Sequence, residues 1–484
     1  MHRTAAAPRV HISADDDHLT GLAGLLLSGE LIRRTQLVAR IDRAVEAVRP
    51  FKLRHRGRSA GELLVALAEA MMAGGAHLAH LEVLRQDAAG AGLRAVAETP
   101  APTTAGQLLR RLTVAQLRAV LTATAEAGNV LDAELGLAAA APVTLDIDAT
   151  TTEVYGRQKQ GAAFNYEGRF SCRSQLVTWA ERHRVLAAEL NSGNTAAKPS
   201  APRLLDAALG RLPQGHGEVS VRGDSDYFCD ELMQRCRRRR ARFAVSVPRN
   251  RAMWRASYAI PESGWRPARE MPGAEIAETT YRPSGWTHQP LRLLIRRRLL
   301  EVAELGGRRA RRRRTVPRLQ LQLALNGAVS QVYGYSFILT DLAGDAAEIE
   351  LWQRQRAHIE ERIKDAKLGC GLIHLPLGTL RANRGWQVAT VIAVNLVAML
   401  SAVLLDTLPT PPVGDGAPVL DDDVAVDDDE PSHRLASTVR RWMIAAPGRL
   451  SRSGRRLHLH LPRGWLWADR IIAVYARLRL IPVT

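Results

Sequence analysis

The sequence predicts an α/β protein with a helical front and a mainly β block set inside its α/β part. Three observations predict it. Apolar residues recur at helical spacing through an alanine-rich stretch up to about residue 138. At residue 142 the texture changes to alternating Val, Ile and Thr, a strand pattern. Strand, helix and strand then alternate, which argues for an α/β layer.

In chain order, 61–84 and 105–128 read as helices, with Thr113 placed to N-cap the run VAQLRAVL. Residues 142–154 and 218–224 read as strands. SQLVTWA and RVLAAEL add strand signals between them, and 204–212 reads as a crossover helix. Residues 243–345 read as mostly β, broken by Pro and Gly turns. A charged helix follows over 350–367, then an uncharged helix from Gln387 to Leu405. The organisation expected is a helical region at 1–138, the first part of an α/β core at 139–242 and a mainly β insertion at 243–345. The last part of the core follows at 346–405, then an acidic Pro/Asp-rich linker at 406–432 and a basic C-terminal segment at 433–484.

Composition narrows the function. The chain has 484 residues, is 46% hydrophobic and carries a formal charge of +18, which excludes wholesale disorder and points to a polyanionic partner. Four cysteines without paired spacing predict neither disulfides nor a zinc site. No signal-peptide pattern is expected. The uncharged stretch 387–405 is long enough to span a bilayer. Asn395, Thr390 and Ser401 within it favour a buried core helix instead, so a membrane-associated basic protein is the weaker alternative. The expected place of action is the bacterial cytoplasm, with no membrane partner.

Chemistry concentrates in three segments. In LDIDAT, Asp146 and Asp148 project to one face of a strand, where two buried acids are costly unless paired or metal-bound. In VSVRGDSDYF, Asp224 falls where the apolar run ends, with Asp226 two residues on. In QRQRAHIEERIKDAK, Arg356, Glu360, Lys364 and Lys367 share one helix face. Ordinary turn chemistry accounts for either strand acid alone, and exposed ion pairs account for the helix alone. Their order, two strand acids and then a basic–acid–basic helix, favours a site. The basic clusters 235–242, 296–298 and 308–314 are candidate phosphate contacts, as is the basic helix face of Arg110, Arg111 and Arg118. Trp254, Trp265 and Trp286 are candidates for stacking on unpaired bases, with burial in a core as the simpler reading. His458 and His460 share a strand face without a third ligand nearby in sequence.

These segments resemble bacterial insertion-sequence DDE transposases, in particular the insertion-sequence-1380 family, over residues 20–405. LDIDATTTEVYGRQKQGAAFNYEG resembles the first-aspartate segment, RGDSDYF the second, and ERIKDAKLGCGLIHLPLGTLRANRGWQVATVIAVNLV the third-acid segment and the helix beyond. Arg356, Glu360 and Lys367 fit the signature Tyr-x2-Arg-x3-Glu-x6-Lys, but Gln353 stands where the signature has tyrosine. The resemblance implies a ribonuclease-H-like core with an insertion between the second and third acids. It implies catalysis and metal binding by Asp148, Asp224 and Glu360, with Asp146 and Asp226 the alternatives for the aspartates. Two Mg²⁺ ions, for which Mn²⁺ substitutes, are the implied cofactor. Arg356, Lys364, Lys367 and Arg222 are the expected DNA phosphate contacts. The implied partners are terminal inverted repeats, target DNA and a second copy of the chain on DNA. The expected activity is cut-and-paste transposition; the alternative is a catalytically inactive, transposase-derived DNA-binding protein.

Overall fold

The structure is a computed structural model that describes residues 10–52, 56–306, 312–408 and 435–483. Most of the 308–314 basic run and of the acidic linker lies outside these residues.

The N-terminal region is helical, as its periodicity predicts. After the short strand β1 (Leu19–Thr20) come α1 (Leu25–Arg34), α2 (Leu37–Val48), α3 (Ala60–Met72), α4 (Leu81–Gln86), α5 (Pro102–Leu109) and α6 (Val114–Glu134). Thr113 N-caps α6: its hydroxyl accepts from the Gln116 N–H, and the Gln116 side chain returns the bond, closing a capping box.

The α/β part follows. Its elements are β2 (Val143–Glu153), β3 (Ala163–Phe164), β4 (Phe170–Trp179), β5 (Arg184–Ser192), α7 (Ala201–Leu209), β6 (Val219–Gly223), α8 (Asp230–Arg238) and β7 (Arg242–Ser246). Strand β2 is central, antiparallel to β4 and parallel to β6, which is in turn parallel to β7. Strand alternation sends Val143, Leu145 and Ile147 into one core with α7 and α8, and turns Asp146 and Asp148 to the opposite face.

The mainly β block contains α9 (Arg251–Tyr258), β8 (Arg266–Pro267), β9 (Ala274–Tyr281), β10 (Leu291–Glu301), α10 (Arg318–Leu325) and β11 (Gln331–Thr340). It is not a separate layer. Strand β11 pairs with β7, so the described strands β2–β11 form one mixed sheet. Strand β7 itself belongs to the parallel part, which therefore runs past the expected boundary at 242.

Helices α11 (Ala346–Arg354) and α12 (His358–Lys364) cross the acid-bearing face, and α13 (Leu380–Asp406) closes the core. Helix α13 is apolar on all sides because protein encloses it: α3 and α6 pack on it, as does β5. Asn395 exchanges two hydrogen bonds with the Val185 backbone, at 2.8 and 3.0 Å. The C-terminal segment, α14 (Ala436–Val439), β12 (Gly448–Ser453), β13 (Arg456–His460) and α15 (Ala468–Leu480), folds back on the N-terminal region. Strand β12 pairs with β1, and α15 packs on α1.

Asn395→Leu is expected to leave the Val185 N–H and C=O buried without partners, at a cost of about 2–4 kcal/mol. Urea unfolding measures it, and a variant as stable as wild type contradicts the enclosure of α13.

Candidate active site

The two acids on β2 have different surroundings. Asp146 forms a bidentate pair with Arg222 at 2.6 and 2.8 Å, both side chains being almost wholly buried. Arg222 also donates to the Trp352 carbonyl and lies over the Trp352 ring, tying β2 and β6 to α11. All three guanidinium nitrogens of Arg222 thus donate within the protein, a structural engagement that the expected phosphate role did not include. Asp146 is likewise engaged. Burial raises its carboxyl above the usual range, and Arg222 opposes that.

Asp148 and Asp224 come together. The parallel register pairs Ile147 with Gly223, so the next residue on each strand is an aspartate. One Asp148 oxygen accepts from the Ala149 N–H at 2.7 Å and the other from Arg356 at 2.9 Å. Burial raises the Asp148 carboxyl; Arg356 opposes this and the charge of Glu360 adds to it. Asp224 caps the turn Ser225–Tyr227 by accepting from the Asp226 N–H at 2.9 Å. Burial, and next the charge of Asp148, pushes the Asp224 carboxyl up to about 6. Asp226 points elsewhere and pairs with Arg173 at 2.7 Å.

Glu360 lies on α12, exposed, on the wall of a cleft of about 510 Å³. Thr150, Tyr155, Arg169, Lys364 and Lys367 share that wall. Lys367 donates to the Thr151 carbonyl at 2.9 Å, and burial lowers its pKa. Among the described residues, no three His, Cys, Asp or Glu side chains stand close enough to hold a metal ion. The structure thus brings together Asp148, Asp224 and Arg356, with Glu360 near enough to act electrostatically but outside coordination reach. Two adjacent, partly buried carboxylates fit a hard divalent cation, whose charge would relieve their repulsion. In its place, the Arg356 guanidinium supplies the positive charge.

Three supporting residues escaped the sequence reading. Gln353, at the signature's tyrosine position, donates to the Gly223 carbonyl at 3.0 Å and so ties α11 to the residue before Asp224. The Tyr227 hydroxyl donates to Gln175 at 3.2 Å, and its ring packs, fully buried, under the two aspartates. RGDSDYF offered Tyr227 as a signal; nothing in the sequence marked Gln175.

The basic clusters divide. Arg235 and Arg239 pair with Asp206, Arg296 with Glu350, and Arg297 with Glu262 and Glu275, so these largely hold the fold together. Trp265 and Trp286 are buried, and Trp254 packs edge-on against Tyr335 and Phe337, which makes them core residues. The His460 ring meets the Ser451 hydroxyl. Arg118 lines a separate cavity with Arg203 and Arg384. Arg110 and Arg111 instead join Arg49, Lys52, Arg56, Arg58 and Arg381 around a groove of about 1030 Å³ that has no acidic residue in its lining among the described residues. Among the described residues, Arg49, Arg56, Arg110 and Arg111 take part in no ion pair.

A mixed sheet with two acids meeting where a parallel strand pairing ends is a frame on which metal-assisted phosphodiester chemistry can be built. The chain belongs to the family described as transposase DDE domain group 1, whose model matches residues 2–307, a span that includes Asp148 and Asp224 but not Glu360. Among solved structures it is similar to a piggyBac transposase synaptic complex with hairpin DNA, at 11% identity and a TM-score of 0.38, over 78% of this chain and 74% of that one. No curated protein matches it.

Two outcomes follow. Arg222→Ala is expected to strand the buried Asp146 charge at a cost of about 3–5 kcal/mol; a variant of wild-type stability with weakened DNA binding would restore the phosphate role. Folded Asp224 keeps its proton to higher pH than the unfolded chain, where aspartate titrates near about 3.9. The folded state therefore loses stability as pH rises through about 4 to 6. Without divalent metal, Asp224→Asn is expected to be more stable than wild type near pH 7 by about 1–2 kcal/mol, and to match it near pH 4. Equal stability near pH 7 would contradict the like-charge contact.

Proposed function

We propose that this chain is a Mg²⁺-dependent cut-and-paste transposase. It would cleave at terminal inverted repeats and join the freed ends to target DNA, in the manner of the insertion-sequence-1380 family. The observation that carries the reading is the meeting of Asp148 and Asp224 where the parallel pairing of β2 and β6 ends, in a member of a DDE transposase family. The strand order β5-β4-β2-β6-β7, with β6 and β7 parallel to β2, supports a ribonuclease-H-like core.

Asp148 and Asp224 would hold the divalent ions, with Glu360 completing the set from α12 after a local shift of that helix. Mg²⁺, or Mn²⁺ in its place, supplies charge neutralisation at the scissile phosphate and activation of the attacking oxygen. Gln353 and Tyr227 keep the end of β6 in place. Arg356, released from Asp148 once the carboxylates have another counter-charge, is free to meet a phosphate, and Lys364 waits on the cleft wall. Lys367 braces α12 against β2 through Thr151. The groove around Arg49, Arg56, Arg110 and Arg111 suits the duplex flanking the cut, its free guanidinium groups replacing condensed counterions. Pairing of two ends calls for two copies of the chain on DNA, acting in the bacterial cytoplasm.

A second reading has two observations in its favour. The Arg356–Asp148 pair and the distance of Glu360 suit a DNA-binding protein that has lost catalysis.

Nicking of a duplex carrying the element's own terminal repeat separates the two. Wild type is expected to nick it with Mg²⁺ and not with a chelator present. Asp148→Ala, Asp224→Ala and Glu360→Ala should each slow nicking at least about a thousandfold, about 4 kcal/mol of barrier, while end binding persists. Normal nicking by Glu360→Ala removes the third acid from the mechanism; no nicking by wild type favours the inactive reading.

A further inference from the structure

The segment joining β2 to β4 presents an aromatic surface that the fold does not use. Tyr155 is 87% exposed, Tyr166 85% and Phe164 67%; Tyr258 is the other strongly exposed aromatic among the described residues. Three of the four thus fall within twelve consecutive residues of a chain that is only 5% aromatic. Large exposed apolar side chains gathered in one place mark a binding surface.

The segment is held firmly without them. The Gln160 N–H donates to the Gly378 carbonyl at 2.9 Å, and the Gln160 side chain accepts from the Leu380 N–H at 3.2 Å. Lys159 donates to the Leu375 carbonyl. The Asn165 side chain accepts from the N–H groups of Glu167 and Arg169 at 3.0 and 2.9 Å, which fixes the turn that projects Tyr166. Phe164 has one ring neighbour, Phe170, at 5.2 Å.

Position and charge point to the occupant. Tyr155 and Arg169 line the same cleft as Glu360, Lys364 and Lys367. Arg157 is exposed and takes part in no ion pair among the described residues, and Arg169 is met by Glu167 at 3.4 Å and Glu153 at 3.9 Å. The first turn of α13, which Gln160 grips, also sends Arg381 into the basic groove. The aromatic segment therefore contributes Tyr155 to the cleft of Glu360 and, through Gln160, holds the helix start that carries Arg381 into the groove suited to duplex phosphates. Aromatic rings interleaved with cationic side chains suit unpaired nucleotides, whose bases stack without regard to sequence.

We propose that Tyr155, Phe164 and Tyr166 form a stacking platform for unpaired nucleotides at a DNA end entering the cleft. The proposal rests on the DNA-cleaving reading above and adds to it a preference for frayed or single-stranded ends.

The full chain is titrated with a blunt oligonucleotide duplex and with the same duplex bearing a single-stranded overhang that contains 2-aminopurine. Wild type is expected to bind the overhang form at least about tenfold more tightly and to change the 2-aminopurine fluorescence on binding. Tyr155→Ala/Tyr166→Ala is expected to lose both effects while binding blunt duplex as wild type does, and Tyr155→Phe/Tyr166→Phe to keep both. Equal wild-type affinity for the two duplexes overturns the platform and leaves the DNA reading standing. An alanine variant that still prefers the overhang also overturns the platform. Failure of wild type to bind either duplex overturns both readings.

Discussion

Much of the site's behaviour follows from one electrostatic constraint: two carboxylates are fixed side by side where the parallel pairing of β2 and β6 ends. Asp148 lies within β2 and Asp224 directly follows β6, and both strands are paired on two sides. Ile147 and Gly223 are paired, and Gly223 has only 3.3 Å to spare against Ile147 and Tyr227 where a side chain would go. Burial, and next the charge of Asp148, pushes the Asp224 carboxyl up to about 6, an unfavourable arrangement that a cation relieves.

Arg356 provides that relief in the structure. Its pairing with Asp148 is partly buried, and it stands four residues before Glu360, in the short segment that joins α11 to α12. The continuation of α12 into a π-helical stretch at Asp365–Gly369 is consistent with a helix whose register is adjustable, since such bulges cluster at functional sites. A neighbouring pair shows the contrast. Asp146 and Arg222 make two short, almost wholly buried bonds, and this arrangement holds β2, β6 and α11 in place.

Much of the fold was legible in the sequence because local signals governed it. The Thr113 capping box, the alternation of β2 and β6, and the three polar residues that marked α13 as buried all act within a few residues of where they are read. What could not be read depends on partners distant in sequence. Arg222 looked free because Asp146 lies 76 positions away. The β block looked separate because only the β7–β11 pairing reveals its continuity with the core. Of the three acids, the two on strands were placed by alternation and strand ends. The third depends on how α12 sits, which helical periodicity does not determine.

The central claim, that Asp148, Asp224 and Glu360 come to share divalent metal, is tested most directly by metal-directed backbone cleavage. Fe²⁺ replaces Mg²⁺ in the full chain bound to end DNA, and ascorbate and peroxide generate radicals at the metal. The account predicts cuts clustered near residues 148, 224 and 360 that excess Mg²⁺ suppresses. Cuts near 148 and 224 with none near 360, or cuts at none of the three, would contradict it.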